Sequence, residues 1–257
     1  MTDRPLPHRL ERVVTIQAPR ATVFRFFTDT ARWARWWGAG STIDATPGGR
    51  VLIRLPGGVD VTGTVLEIAP PERLVFSYGF ASGAPIPPGG STVTIRLESH
   101  GGATRLRLEH AFAEPAVRDE HVQGWRYQLA LFSNAVTDET NAAAPAKVDH
   151  WFALWSDPDA AARARRLEEL AVPEIQFRDR YSCLDGYDDV LPHITAAQRF
   201  MPGLSLQRDG DVRHCQGTVL ADWIATGPDG QSRGRGTNVF VIGADGRFTS
   251  ITGLWRG

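Results

Sequence analysis

Apolar and polar positions alternate across residues 10–16, with Val14 and Ile16 separated by Thr15 and followed by Gln17. That two-residue period predicts a half-buried strand. Ala18-Pro19 then opens a helix, since proline suits a first turn, and Val23, Phe24, Phe26 and Phe27 give it a broad apolar face. A second short helix over residues 30–36 is rich in aromatics, with Trp33, Trp36 and the adjoining Trp37. Five strands follow at residues 51–55, 59–68, 73–78, 91–98 and 104–110. Gly48-Gly49, Gly57-Gly58, Pro70-Pro71, Pro87-Pro88-Gly89-Gly90 and Gly101-Gly102 punctuate them. The 3–4 spacing of Val122, Trp125, Leu129, Phe132 and Val136 predicts one long helix over residues 117–135.

Residues 137–147 are polar, then alanine-rich, then interrupted by Pro145, the composition of a linker. They place a boundary near Ala144, between a domain at 1–140 and another at 147–257. The halves share no internal repeat. The second begins with a helix at 147–155, where Val148, Trp151, Phe152 and Trp155 share one side. Asp157-Pro158 predicts the start of another helix ending near Leu170. Ile175, Phe177 and Asp179 share one strand face, and residues 187–200 form a third helix. Strands at 204–208, 214–225, 232–242 and 248–255 complete the half, with Gly227-Pro228-Asp229-Gly230 and Gly243-Ala244-Asp245-Gly246 as hairpin turns.

Composition narrows the class. Hydrophobic residues make up 42% of the 257 and charged residues 22%, which is globular rather than disordered. A net charge of −1 gives no general attraction to nucleic acid or an anionic membrane. No apolar run approaches the ~18 residues that cross a bilayer, and Met1 to Arg12 lacks the apolar core of a secretory signal. Cys183 and Cys215 form no metal-binding pair, so neither a metal nor another cofactor is expected. A cytoplasmic protein with reduced thiols is the expectation.

An antiparallel sheet of this many strands curls, and one long helix covers its concave face incompletely, leaving a cavity. The expected fold class is therefore α+β, and the family resemblances of the two halves imply a helix-grip domain followed by a cone-shaped α+β domain. The order strand, two short helices, strands, long helix resembles the START-like (SRPBCC) superfamily over residues 10–136. The branch it resembles is that of the activator of the heat-shock chaperone ATPase. Ala18-Pro19 with Val23-Phe24, Trp36-Trp37, Pro70-Pro71-Glu72-Arg73-Leu74, and His110 with His121-x-x-Gly124-Trp125 carry the match. The branch name implies chaperone activation, a role of proteins with an additional chaperone-binding domain that no segment here resembles.

Residues 148–255 resemble the SnoaL-like group of the nuclear-transport-factor-2 superfamily. Phe177-Arg178-Asp179, Gly186, His193-Ile194, Asp222-Trp223, Gly227-Pro228-Asp229-Gly230 and Asp245-Gly246-Arg247 carry that match. The resemblance implies a cone with a ligand cavity. Ketosteroid isomerase, a distant relative, places its base where Asp179 stands and its oxyanion-stabilising acid where Asn238 falls. Trp151 occupies the place of its catalytic tyrosine.

Candidate site residues follow from parity. Phe76, Ile95 and Leu108 face inward in the first sheet. Tyr78 and His110 are then either ligand-orienting polar groups or satisfied structural ones, and Trp125 either clamps a ligand or packs the core. The tryptophans at 33, 36 and 37 read as the seam between helix and sheet, and His121 as solvated. In the second domain, parity carries Asp179 toward an apolar interior, where desolvation would make a base; otherwise it caps a turn or pairs with Arg178 or Arg180. Asn238, Trp151 and His193 complete the set. The expected function is binding of a hydrophobic or aromatic small molecule. The alternatives are a cyclase, isomerase or hydrolase for a polyketide-like or steroid-like substrate, and an interaction module pairing as a homodimer through the second domain's convex sheet.

Overall fold

The computed structural model describes residues 5–256; residues 1–4, the start of the charged N-terminal stretch, and Gly257 lie outside the described residues. The chain forms two compact units, one ending at Thr137 and the other beginning at Asp138.

The first unit opens with β1 (His8–Ile16), α1 (Arg20–Arg25) and α2 (Thr30–Trp37). Asp29 caps α2 by accepting the Arg32 N–H, which fixes the start of the helix carrying Trp33, Trp36 and Trp37. Then come β2 (Thr42–Ile43), β3 (Arg50–Leu55), β4 (Val59–Ala69), β5 (Arg73–Phe80), β6 (Ser91–His100), β7 (Ala103–Phe112) and α3 (Pro115–Thr140). The strands form one seven-stranded antiparallel sheet, order β1-β7-β6-β5-β4-β3-β2. Ser91, Val93, Ile95 and Leu97 on β6 share the buried face with Thr104, Leu106, Leu108 and His110 on β7. Against it α3 buries Trp125, Leu129, Phe132 and Val136. Each such large apolar side chain removed from water is worth roughly 1.5–3 kcal/mol, so the helix is held by its inner face rather than by helix propensity.

The segment expected as a linker is mostly helical. After α3 only residues 141–143 intervene before α4 (Ala144–Leu154), because Pro145 sits in the first turn of α4 and starts that helix instead of breaking one. The next helix, α5 (Ala160–Leu170), is capped by Asp159, whose side chain accepts from the N–H groups of Ala161 and Ala162. Asp157 was the expected cap, but its Oδ1 accepts the Asp159 N–H and makes a turn before the helix.

β8 (Ala171–Arg178), β9 (Cys183–Asp185), α6 (Tyr187–Phe200), β10 (Ser205–Arg208), β11 (Arg213–Cys215), β12 (Thr218–Thr226), β13 (Ser232–Ile242) and β14 (Phe248–Arg256) complete the unit. The single strand expected at 214–225 is two, folded at Gln216-Gly217, both with positive φ as a tight hairpin demands. The sheet runs β10-β12-β13-β14-β8-β9 with β11 beside β12, all antiparallel except β14 against β8. Its inner face carries rows of partners across three strands: Val219–Phe240–Ile251, then Ala221–Asn238–Gly253, then Trp223–Gly236–Trp255. Val148, Trp151 and Phe152 of α4, Leu167 of α5 and Ile194 of α6 share one core with the deepest row.

Candidate functional site

In the first unit the polar centre is His110, fully buried on β7. Trp125 of α3 donates its indole N–H to His110 Nδ1 at 2.9 Å. The ring proton therefore resides on Nε2, which donates to Ser91 Oγ at 2.8 Å, and that hydroxyl donates to the Tyr78 carbonyl at 2.9 Å. Burial holds His110 well below the usual histidine range, and the nearby His121 adds to the effect. This imidazole is neutral, and both its nitrogens are occupied. Burial pushes the Tyr78 hydroxyl up, and its ring meets His110 edge-on at 4.9 Å.

His121, expected in solvent, is half-buried instead. Its Nδ1 bonds the Val117 carbonyl, and its ring packs against Tyr78, Phe80, His110 and Phe112. The reason is helical spacing: four residues before Trp125, it lies over the same end of the sheet. Phe76, Ile95 and Leu108 are core residues, each about 1% exposed. Above the sheet run continuous ring contacts. Trp33 meets Phe76 at 5.9 Å and Trp36 at 5.0 Å, Trp36 meets Phe132 at 4.9 Å, and Phe27 stacks on Phe132 at 4.6 Å. Aromatics of α2 and α3, with Phe27 just beyond α1, thus pack over the sheet face where a cavity was expected.

In the second unit, Asp179 lies just beyond β8, beside Gly253 in the parallel register of β8 and β14. A Cβ built on Gly253 would stand 3.0 Å from Asp179 Cβ and 3.2 Å from Asn238 Oδ1, so glycine here lets the two polar residues approach from either side. Asn238 is buried and Asp179 half-buried. The expected apolar surroundings of Asp179 are corrected: its carboxylate accepts from the Tyr181 N–H at 2.8 Å and the Trp255 indole at 3.3 Å. It thus closes the turn that leaves β8. Neither neighbouring arginine pairs with it; Arg178 bonds Asp185, and Arg180 lies over the Tyr181 ring.

Trp151 is fully buried and packs on Phe177 at 5.6 Å, and Trp155 meets the same ring at 5.6 Å. His193 faces Trp155 at 5.9 Å and shares a hydrogen bond of 3.0 Å with Ser182 Oγ. Trp223 lies over Gly236 and meets Trp255 edge-on at 4.9 Å. The indole N–H groups of Trp151, Trp155 and Trp223 are buried without a partner; in the first unit the same holds for Trp37. Each buried donor left unpaired costs ~1–3 kcal/mol. Trp223 and Trp255 are not among the candidate site residues read from the sequence, although they share strand parity with Ala221 and Gly253. The unpaired state of the indoles was not, because it depends on what surrounds them. Among the described residues, no cluster of three metal-ligating side chains occurs.

The family described as Activator of Hsp90 ATPase homolog 1-like protein matches residues 17–137. No curated protein sequence matches the chain. Solved structures similar to it include a putative isomerase of the SnoaL-like family from Agrobacterium tumefaciens, 20% identical, covering 44% of this chain and 96% of that one, with a TM-score of 0.42. CalU16 from Micromonospora echinospora is 28% identical over 51% of this chain and 78% of its own, with a TM-score of 0.42. The Aha1 dimer from Colwellia psychrerythraea is 16% identical over 50% and 96%, with a TM-score of 0.45. With its seven-stranded grip around α3 and this match over residues 17–137, the first domain belongs to the Activator of Hsp90 ATPase homolog 1-like family.

Proposed function

We propose that the protein binds a hydrophobic or aromatic small molecule in the interior of its second domain. The observation that carries this reading is the set of buried, unpartnered indole N–H groups of Trp151, Trp155 and Trp223 in the domain that also holds Asn238. Apolar walls with a few unspent donors suit a flat molecule bearing an acceptor oxygen. In the first domain, by contrast, His110 has no valence left for a ligand.

An enzyme reading, as cyclase, isomerase or hydrolase, draws on the approach of Asp179 to Asn238 across Gly253. It is the weaker one, since the Asp179 carboxylate already accepts two N–H donors. Pairing of two chains through the outer face of the second sheet draws on Leu254 and Val241, 55% and 38% exposed. Sedimentation velocity tests that pairing: a dimer supports it, and a monomer at 100 μM or so removes it.

The binding reading is tested with a neutral environment-sensitive dye such as Nile red. The full chain should bind it saturably, and Asn238→Leu should weaken binding about tenfold by removing a polar anchor. A folded protein without saturable binding, or a variant of unchanged affinity, would overturn it.

A further inference from the structure

Between α5 and α6 lies a groove of about 410 Å³ with a cation in its wall. Ala160 and Arg163 come from α5, and Leu191, Pro192, Thr195 and Arg199 from one side of α6. Arg163 is only 3% exposed, yet its guanidinium meets no carboxylate within 4 Å among the described residues. Nη1 donates to the Asp157 carbonyl at 2.7 Å and to Gln198 Oε1 at 3.1 Å, and Nη2 donates to Thr195 Oγ1 at 2.8 Å. All three acceptors are neutral. Of five guanidinium N–H donors this leaves two, one on Nη2 and the one on Nε, which is buried without a partner.

The acidic side chains nearby are spent elsewhere. The Asp157 carboxylate pairs with Arg166, and that of Asp159 caps α5. Buried charges are ordinarily paired, so this guanidinium lacks a counter-ion. Arg199 adds a second positive charge, exposed and free of ion pairs among the described residues. Leu191 and Pro192 supply an apolar wall beside these charges.

We propose that this groove binds a small organic anion whose carboxylate or phosphate group sits between Arg163 and Arg199, with its apolar part against Leu191 and Pro192. The site is separate from the cone interior and does not depend on how that interior is used. Charge-assisted hydrogen bonds from arginine to an oxyanion are about twice as strong as neutral ones, which makes the missing partner the natural ligand.

The test is calorimetric titration of the full chain, at low ionic strength, with sodium benzoate and, separately, inorganic phosphate. Saturable one-site binding of either, with Kd of about 1 mM or tighter, is expected, and the stronger arm identifies carboxylate or phosphate as the group recognised. The Arg163 Nε–H resonance, protected by burial, should shift with the same saturation curve. Arg199→Gln should weaken binding at least threefold and Arg163→Gln at least tenfold, with Arg163→Lys between wild type and Arg163→Gln. Should Arg163→Gln fail to fold, Arg199→Gln and the Arg163 resonance decide. No saturable binding of either anion, or a static Arg163 resonance with unchanged affinity in Arg199→Gln, would overturn the proposal.

Discussion

His110 shows how one residue's surroundings decide between a functional and a structural part. Its type and its inward parity on β7 are readable from the sequence. What the sequence hides is that Trp125, fifteen residues on, and Ser91, on the neighbouring strand, take both ring nitrogens. The consequence is a pH dependence of defined sign. Burial lowers the folded-state affinity of His110 for a proton, while in the unfolded chain it titrates near 6.5. Below that pH the unfolded state binds the proton and the folded state does not. The stabilisation is thus complete above about pH 6.5 and is lost as pH falls below it. Half-buried His121 contributes with the same sign. Urea unfolding at pH 7.5 and 5.5 should give a lower midpoint at 5.5. In His110→Gln that difference should shrink, while stability at pH 7.5 falls by ~1–3 kcal/mol because Trp125 and Ser91 lose their partner. A variant with the full wild-type pH dependence would show that another group is responsible.

At the scale of elements, the sequence was most legible where one period ran uninterrupted. β6 and β7 alternate cleanly, and α3 keeps its 3–4 spacing, extending past the expected ends because no breaker stops it before Thr140. Short elements were not legible: β2 and β9 hold two and three residues, too few for a period, and β11 separates from β12 only through the left-handed turn at Gln216-Gly217. Proline misled at Pro145, where a helix start resembles a break. The caps make a testable statement. Asp29→Ala should destabilise the first domain by about 1 kcal/mol by freeing the Arg32 N–H at the start of α2, and Asp29→Ser should recover most of that loss. Guanidinium unfolding followed by tryptophan fluorescence would report it, since Trp33, Trp36 and Trp37 ride on this helix. Equal stability of Asp29→Ala and wild type would mean that packing of the three indoles alone sets the helix start.

For the whole molecule, each unit owns a separate core, one from Leu10 to Val136 and the other from Ala144 to Ile251. We therefore expect residues 1–140 and 141–257, expressed apart, each to unfold cooperatively; a fragment that lacks a cooperative transition would contradict independent folding. The kind of pocket follows less directly from sequence than the kind of fold. Both halves pattern as curled sheets covered by helices, yet in the first the aromatics of α2 and α3, with Phe27 just beyond α1, meet ring to ring. In the second, four tryptophans line the sheet and helix faces with three of their N–H groups unspent.

On the binding proposed for the second domain, these donors await a ligand's acceptor oxygen. The most direct measurement is a titration of the full chain with a neutral aromatic ketone such as fluorenone, following the indole Nε1–H resonances. The Trp151 and Trp223 signals should move downfield along one saturable curve, while that of Trp125, already bonded to His110, stays in place. A folded protein in which neither Trp151 nor Trp223 moves, or in which Trp125 responds instead, would contradict it.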